Sequence, residues 1–309
     1  MKIAVMGTGG VGGYYGGKLA AAGEDVTFIA RGAHLDAIRQ NGLKLTGPAG
    51  DLTVQPARAT DDPASVGPVD VVLFCVKLYD LQSAGEAIRP LVGDDTMVVT
   101  LQNGVEAPDL LGAIVGADRV VPGVTYVSGT RVEPGVIRCA VGDGPAMIFG
   151  ERDGAISPRV EAFEKACEKA GLGVQVSPSI ERVLWSKFVL FACNAGLTCL
   201  ARQPVGVVYT QPHLRGLASD CMHEVAAVGR AKGIFLAPDI VDSIFRQFDS
   251  WLPDVKASML VDLEHGRPLE VEWVAGTVCR LGEELGVPTP INQIIYAVLK
   301  PHAAGASGR

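Results

Sequence analysis

The six residues GTGGVG at positions 7–12 constrain the fold of this chain more than any other stretch. They follow a compact β-branched run, KIAVMG at 2–7, and open a helical segment that stops near Gly23. A second strand-like run, DVTFIA at 25–30, comes next. Gly7, Gly9 and Gly12 stand in GxGxxG spacing between a strand and a helix. There the first glycine permits a tight turn, the second lets a pyrophosphate reach the backbone, and the third lets helix and strand pack closely. Gly7, Thr8, Gly9, Gly10, Val11 and Gly12 are therefore read as the phosphate-binding turn of a dinucleotide site. A glycine turn that merely packs does not account for three glycines at this spacing.

The rest of the first half continues the alternation of strand and helix. VDVVLFCV at 69–76 and TMVVTL at 96–101 are continuous apolar runs, the pattern of strands covered on both faces. GLKLTGPAGDLTVQP reads as a hairpin around Gly47–Gly50, and the segments between Val120 and Gly150 as further strands, antiparallel at one sheet edge. Residues 157–171 form an amphipathic helix opened by Ser157 and Pro158 and closed at Gly171.

From about Ile180 the alternation gives way to helical patterns at 181–201, 212–232, 237–249, 254–264, 269–286 and 290–299. The expected architecture is α/β: a Rossmann-type dinucleotide-binding domain over 1–178 and an all-α domain over 179–309 that covers the crevice at the strands' carboxyl ends.

Bulk properties narrow the function. At 309 residues, with a net charge of −7 and no basic arm or zinc-finger spacing, the chain is not expected to bind nucleic acid. Its apolar runs fall short of the ~18 residues that span a bilayer, so no membrane partner is expected. The chain opens straight into a strand, and no signal or transit segment is expected before it. Seven cysteines without a CxxC pair read as reduced thiols of a cytoplasmic protein, and no metal site is expected. The five histidines read as surface or satisfied core residues. The long apolar helices leave a homodimer interface or a private core equally open.

An NAD-preferring site usually offers a carboxylate at the end of the second strand. Here the strand ends TFIAR, with Glu24 and Asp25 placed too early and Arg31 at the position itself. A guanidinium can fork onto a 2′-phosphate that a carboxylate would repel, so NADP(H) is the expected coenzyme; a solvated surface arginine is the plainer alternative.

In the second half, RVLWSKFVLFACNAGLTCL at 182–200 carries one lysine in a nearly apolar helix. At about 100° per residue, Asn194 and Thr198 fall within about 20° of Lys187, giving a polar stripe suited to a crevice wall. From the residues alone, Lys187 either lines that crevice or snorkels to solvent. Cys193 and Cys199 flank the stripe without a base and read as packing.

Taken in order, GTGGVGGYYGGKLAAAGEDVTFIARGAHL, VLFCVKLYD, LQNGVE, LWSKF and SMLVDLEHGRPLEVEWVAG resemble the ketopantoate reductase (2-dehydropantoate 2-reductase) family over most of the chain. The resemblance implies a 6-phosphogluconate dehydrogenase-like pairing of domains. It also implies an NADP-dependent oxidoreductase that reduces ketopantoate, a small 2-keto acid, to pantoate in pantothenate and coenzyme A biosynthesis. Carried over by motif, Gly7, Gly9 and Gly12 hold the pyrophosphate and Arg31 reads the 2′-phosphate. Lys77 and Asn103 match coenzyme-side positions, and Asn103 also lies near the substrate. Lys187 matches the catalytic lysine, and Ser258 a substrate-contacting serine. Glu270 matches the glutamate that accompanies the active site and coenzyme.

By composition alone Glu270 is indistinguishable from Glu264, Glu272 or Glu283, Ser258 from an ordinary helix residue, and Asn103 from a turn former. Taken as part of a helix, Glu270 and Glu272 should point about 200° apart, with Glu272 solvated. The chain departs from the family where asparagines should follow the lysine: Phe191 stands four residues on, and Asn194 seven on rather than eight. Asn194 is a substitute substrate ligand on this reading. A more apolar 2-keto acid, or a non-catalytic NADP(H)-binding regulator, remain the alternatives.

Overall fold

The continuous apolar runs of the first half become strands buried on both faces. The computed structural model describes residues 1–48, 50–141, 144–248 and 255–306. The backbone divides into two compact units, one of Met1–Gln102 with Ala107–Val183, the other of Asn103–Glu106 with Leu184–Arg309.

Among the described residues the first unit contains twelve strands. They are β1 (Lys2–Met6), β2 (Asp25–Ile29), β3 (Leu43–Thr46), β4 (Leu52–Val54), β5 (Arg58–Thr60) and β6 (Val71–Phe74). After them come β7 (Met97–Thr100), β8 (Val120–Thr125), β9 (Val127–Glu133), β10 (Val136–Val141), β11 (Met147–Phe149) and β12 (Val174–Val176). Its helices are α1 (Gly10–Ala21), α2 (Gly32–Asn41), α3 (Leu81–Ala87), α4 (Ala107–Val115) and α5 (Pro158–Lys169).

Eight strands form one sheet in the order β12-β11-β8-β7-β6-β1-β2-β5. The run from β8 to β5 is parallel, with Lys2 opposite Asp25 and Ile3 opposite Val71. The chain leaves β1 for β2 on one side and later adds β6 on the other. That reversal is the topological switch point at which doubly wound sheets bind ligands.

The β3–β4 hairpin forms as expected, with Leu43 opposite Val54. The segments after Val120 depart from expectation. β8 runs parallel inside the main sheet, and only β11 pairs with it antiparallel. β9 and β10 leave that sheet altogether and join the hairpin in a second one, ordered β4-β3-β10-β9, with β10 parallel to β3.

The two sheets together explain the glycine content of α1. Added Cβ atoms at Gly12 and Gly16 would lie 2.9 and 2.6 Å from Val5 of the main sheet. At Gly10 and Gly13 they would lie 2.0 Å from the Gly129 carbonyl and 2.8 Å from Ile137 of the second sheet. The helix is gripped on both sides, and only glycine admits that approach. Tyr15, fully buried between these faces, donates to the Ala146 carbonyl at 2.6 Å.

The second unit is helical: α6 (Ile180–Ala201, entering this unit at Leu184), α7 (Val205–Thr210), α8 (Pro212–Ala231), α9 (Ile240–Phe248), α10 (Ser258–Glu264), α11 (Ala275–Leu285) and α12 (Pro290–Leu299). By length and a mean hydropathy of 1.5, α6 is apolar enough to cross a membrane, which counting uninterrupted apolar runs did not anticipate. With 67% of that stretch buried within the protein, it is a core helix. Trp185 and Phe188 pack edge to face with centroids 5.7 Å apart, and Gly196 and Gly229 let Ile295 and Leu236 close on the bundle. Buried Glu224 of α8 accepts from the Ile291 and Asn292 backbone N–H groups at 2.8 and 3.0 Å, stabilising the start of α12.

Two helical expectations shift. The 254–264 helix begins at Ser258, and its expected first residue, 254, lies outside the described residues, as does 249 at the end of the 237–249 helix. The expected helix 269–286 begins only at Ala275. The Leu269 N–H donates to the Ala303 carbonyl, a 3-10 turn spans Val271–Trp273, and Val274 (φ −109°, ψ −93°) breaks the register. A tertiary hydrogen bond outweighs local propensity here.

Candidate functional site

The glycine turn of the first unit starts where β1 ends. Gly7 takes φ +94°, a region costly for a side chain. The Thr8 N–H and hydroxyl both donate to the Ile29 carbonyl, at 3.3 and 3.0 Å. No side chain caps α1, so its first-turn N–H groups on Gly10, Val11 and Gly12 have the open, positive character of an anion site. A Cβ built at Gly9 meets nothing within 4 Å. Space at Gly9, close packing at Gly12 and an uncapped helix start together fit a pyrophosphate.

Arg31 immediately precedes α2 with extended backbone (φ −135°, ψ 154°). It is exposed, and among the described residues it forms no ion pair. Lys77 is half-buried three residues beyond β6 and precedes the 3-10 turn Leu78–Asp80.

Three residues far apart in sequence meet in the second unit. Lys187, partly buried on α6, donates from Nζ to Asn103 Oδ1 at 3.0 Å. Burial lowers the pKa of Lys187 while the charge of Glu270 raises it, leaving it at about 8 against an ordinary 10.5. Glu270 is itself buried, 6% exposed. It precedes the 3-10 turn rather than lying within a helix, so the periodicity that set Glu270 against Glu272 does not apply. Glu272 is not simply solvated: it accepts from the Tyr296 hydroxyl at 2.7 Å and pairs with Lys300. The arrangement is an ammonium made more acidic by burial, hydrogen-bonded to an amide oxygen and partly compensated by a carboxylate.

Other predicted residues fall elsewhere. Asn194 and Thr198 do not wall a crevice. Asn194 is buried and its Oδ1 accepts from the Tyr209 hydroxyl, while the Thr198 hydroxyl donates back to the Asn194 carbonyl at 2.6 Å. All three residues lie on α6, but Tyr209 of the neighbouring helix α7 meets Asn194 there. Ser258 is exposed at the first residue of α10 and makes no hydrogen bond among the described residues. Phe191 lies beside the amine, with Lys187 Nζ 5.8 Å from its ring centroid.

Glu106 was missed. Its carboxylate accepts from Thr277 Oγ1 and pairs with Arg280 at 2.6 Å, both on α11. That clamp anchors the short segment whose other end presents Asn103 to Lys187. Within LQNGVE the glutamate had no feature to separate it from a surface charge.

Residues 3–154 match the family described as ketopantoate reductase PanE/ApbA, and residues 179–303 match its C-terminal part. A 2-dehydropantoate 2-reductase of Mesorhizobium japonicum is 33% identical, with 97% of each chain covered. The crystal structure of a 2-dehydropantoate 2-reductase from Geobacter metallireducens superposes with a TM-score of 0.91 at 33% identity, covering 97% of this chain and 99% of that one. A PanE/ApbA family ketopantoate reductase from Ralstonia eutropha gives 0.89 at 33% identity, covering 98% of each.

Proposed function

The chain belongs to the ketopantoate reductase family, oxidoreductases acting on CH–OH groups, and we propose that it reduces the ketone of a 2-oxo acid, ketopantoate first, with NADPH. The observation that carries this reading is the Lys187–Asn103 hydrogen bond, with Glu270 acting on the same amine.

When bound, the nicotinamide supplies the hydride. Gly9 and the first turn of α1 hold the pyrophosphate, and Arg31 forks onto the 2′-phosphate. Lys187, protonated near neutral pH because Glu270 opposes the effect of burial, faces the substrate carbonyl. As that oxygen becomes an alkoxide, the ammonium stabilises the negative charge and delivers its proton, leaving a neutral amine that solvent recharges. Asn103 Oδ1 fixes the direction of Nζ, so the proton is aimed before the substrate arrives.

The ring of Phe191 beside the amine favours a second reading of the substrate alone: a 2-oxo acid with a more apolar side chain. NADPH consumption against a panel of 2-oxo acids that includes ketopantoate separates the two. Turnover with ketopantoate supports the first reading, and preference for a bulkier apolar acid the second. Binding of NADPH with no turnover on any 2-oxo acid would refute both and leave a coenzyme-binding regulator.

A further inference from the structure

His34 of α2 is buried, 5% exposed, and the chemistry proposed above does not use it. One ring nitrogen, Nε2, lies 2.7 Å from the Thr8 carbonyl oxygen, within the glycine turn. The other, Nδ1, lies 2.9 Å from the Gly135 N–H, in the turn joining β9 to β10. A carbonyl oxygen can only accept and a backbone N–H can only donate. The two partners therefore fix a single form of the ring: neutral, with the proton on Nε2 and the lone pair on Nδ1. An imidazolium would set an N–H against the Gly135 N–H.

Thr8 is thus held at three points. Its N–H and hydroxyl reach Ile29, and its carbonyl receives the His34 proton. The Thr8–Gly9 peptide is a rigid plane. Fixing its carbonyl fixes its N–H, which donates to the Gly7 carbonyl at 2.8 Å. The same plane sets the approach to Gly9, the position open to a ligand. Burial keeps the ring neutral, and the nearby Arg131 charge acts in the same direction, against the opposing pull of the Thr8 carbonyl.

We infer that His34 is a positioning residue for the coenzyme: its Nε2–H holds the Thr8 carbonyl so that the glycine turn is set to receive the pyrophosphate before binding. The inference rests on the coenzyme reading above. In a turn ordered only on binding, part of the binding free energy would be spent on the ordering.

The test compares His34→Asn with His34→Gln, by NADPH titration and by turnover at saturating NADPH. An asparagine carbonyl sits where Nδ1 does and keeps the Gly135 N–H partnered, while losing the bond to Thr8. A glutamine amide sits where Nε2 does and restores that bond. We expect His34→Asn to weaken NADPH about tenfold, the effect of one buried hydrogen bond, with a much smaller effect at saturation. His34→Gln should recover most of the affinity. Equal loss in both variants, or none in His34→Asn, overturns the inference. Nitrogen NMR on the unaltered protein gives a measurement independent of variant folding. Before NADPH is added the ring should already show a protonated Nε2 and an accepting Nδ1, and keep them on saturation; the opposite tautomer, or an Nε2–H bond that forms only on saturation, overturns it. A wild-type protein that binds neither NADPH nor NADH removes the coenzyme reading and this inference together.

Discussion

The glycine turn of the first unit and the Lys187 group of the second, the two halves of the proposed site, are encoded in opposite ways. The turn is written within six consecutive residues, because a backbone cradle of the kind proposed for the pyrophosphate has its shape set locally. The Lys187 group draws on positions 103, 187 and 270, which only tertiary folding brings together. Local recognition can be read from spacing. The proposed proton donor needs one charge placed against another, and spacing says nothing of residues 84 apart in the chain.

The largest expected effect separates the two regions outright. Lys187→Ala should lower turnover by at least roughly 10²-fold while NADPH binding stays nearly intact, the mark of a group acting in the transition state. Binding titrations and initial rates on one preparation check this, and an equal loss in both would merge the two regions. Arg31→Ala should do the reverse: about tenfold weaker NADPH, little change for NADH, and turnover at saturation largely retained. If NADPH and NADH weaken alike, Arg31 does not read the 2′-phosphate.

Smaller effects sharpen the comparison. Glu106→Ala releases the segment that carries Asn103, and a few-fold lower kcat with unchanged NADPH affinity is expected, since the misplaced group is an orienter rather than the acid itself. Phe191→Asn should shift the preference among 2-oxo acids toward more polar ones by a few-fold in kcat/KM. An unchanged ranking would show that Phe191 does not face the substrate.

What the sequence disclosed follows the same division. The main-sheet strands, the amphipathic α5 with its Ser157 cap, and the apolar α6 were legible, because periodicity and caps are short-range signals. The second sheet was not. β10 pairs in parallel with β3 across some ninety residues, and nothing in either strand's pattern names its partner. The glycines beyond the motif that face it, Gly13 against Ile137 and Gly17 against Leu45, become intelligible only once that sheet is seen pressing on α1. Asn194 shows the limit of helical geometry. It lies on the same helix as Lys187, yet what faces it is Tyr209 of another helix. Glu270 was identified through family resemblance and not through its own periodicity, since Val274 breaks the helix that periodicity assumed.

The pH dependence of NADPH-driven ketopantoate reduction, in wild type and Glu270→Gln, tests most directly whether a Glu270-supported Lys187 ammonium is the acid. The reduction needs the protonated amine, so kcat should hold through neutral pH and fall as pH rises past about 8. Glu270 raises that pKa. Its neutral replacement should therefore move the falling limb to lower pH and reduce the neutral rate about tenfold. A limb that stays in place when the carboxylate is removed, or a rate flat from neutral pH to well above 8, would contradict the assignment.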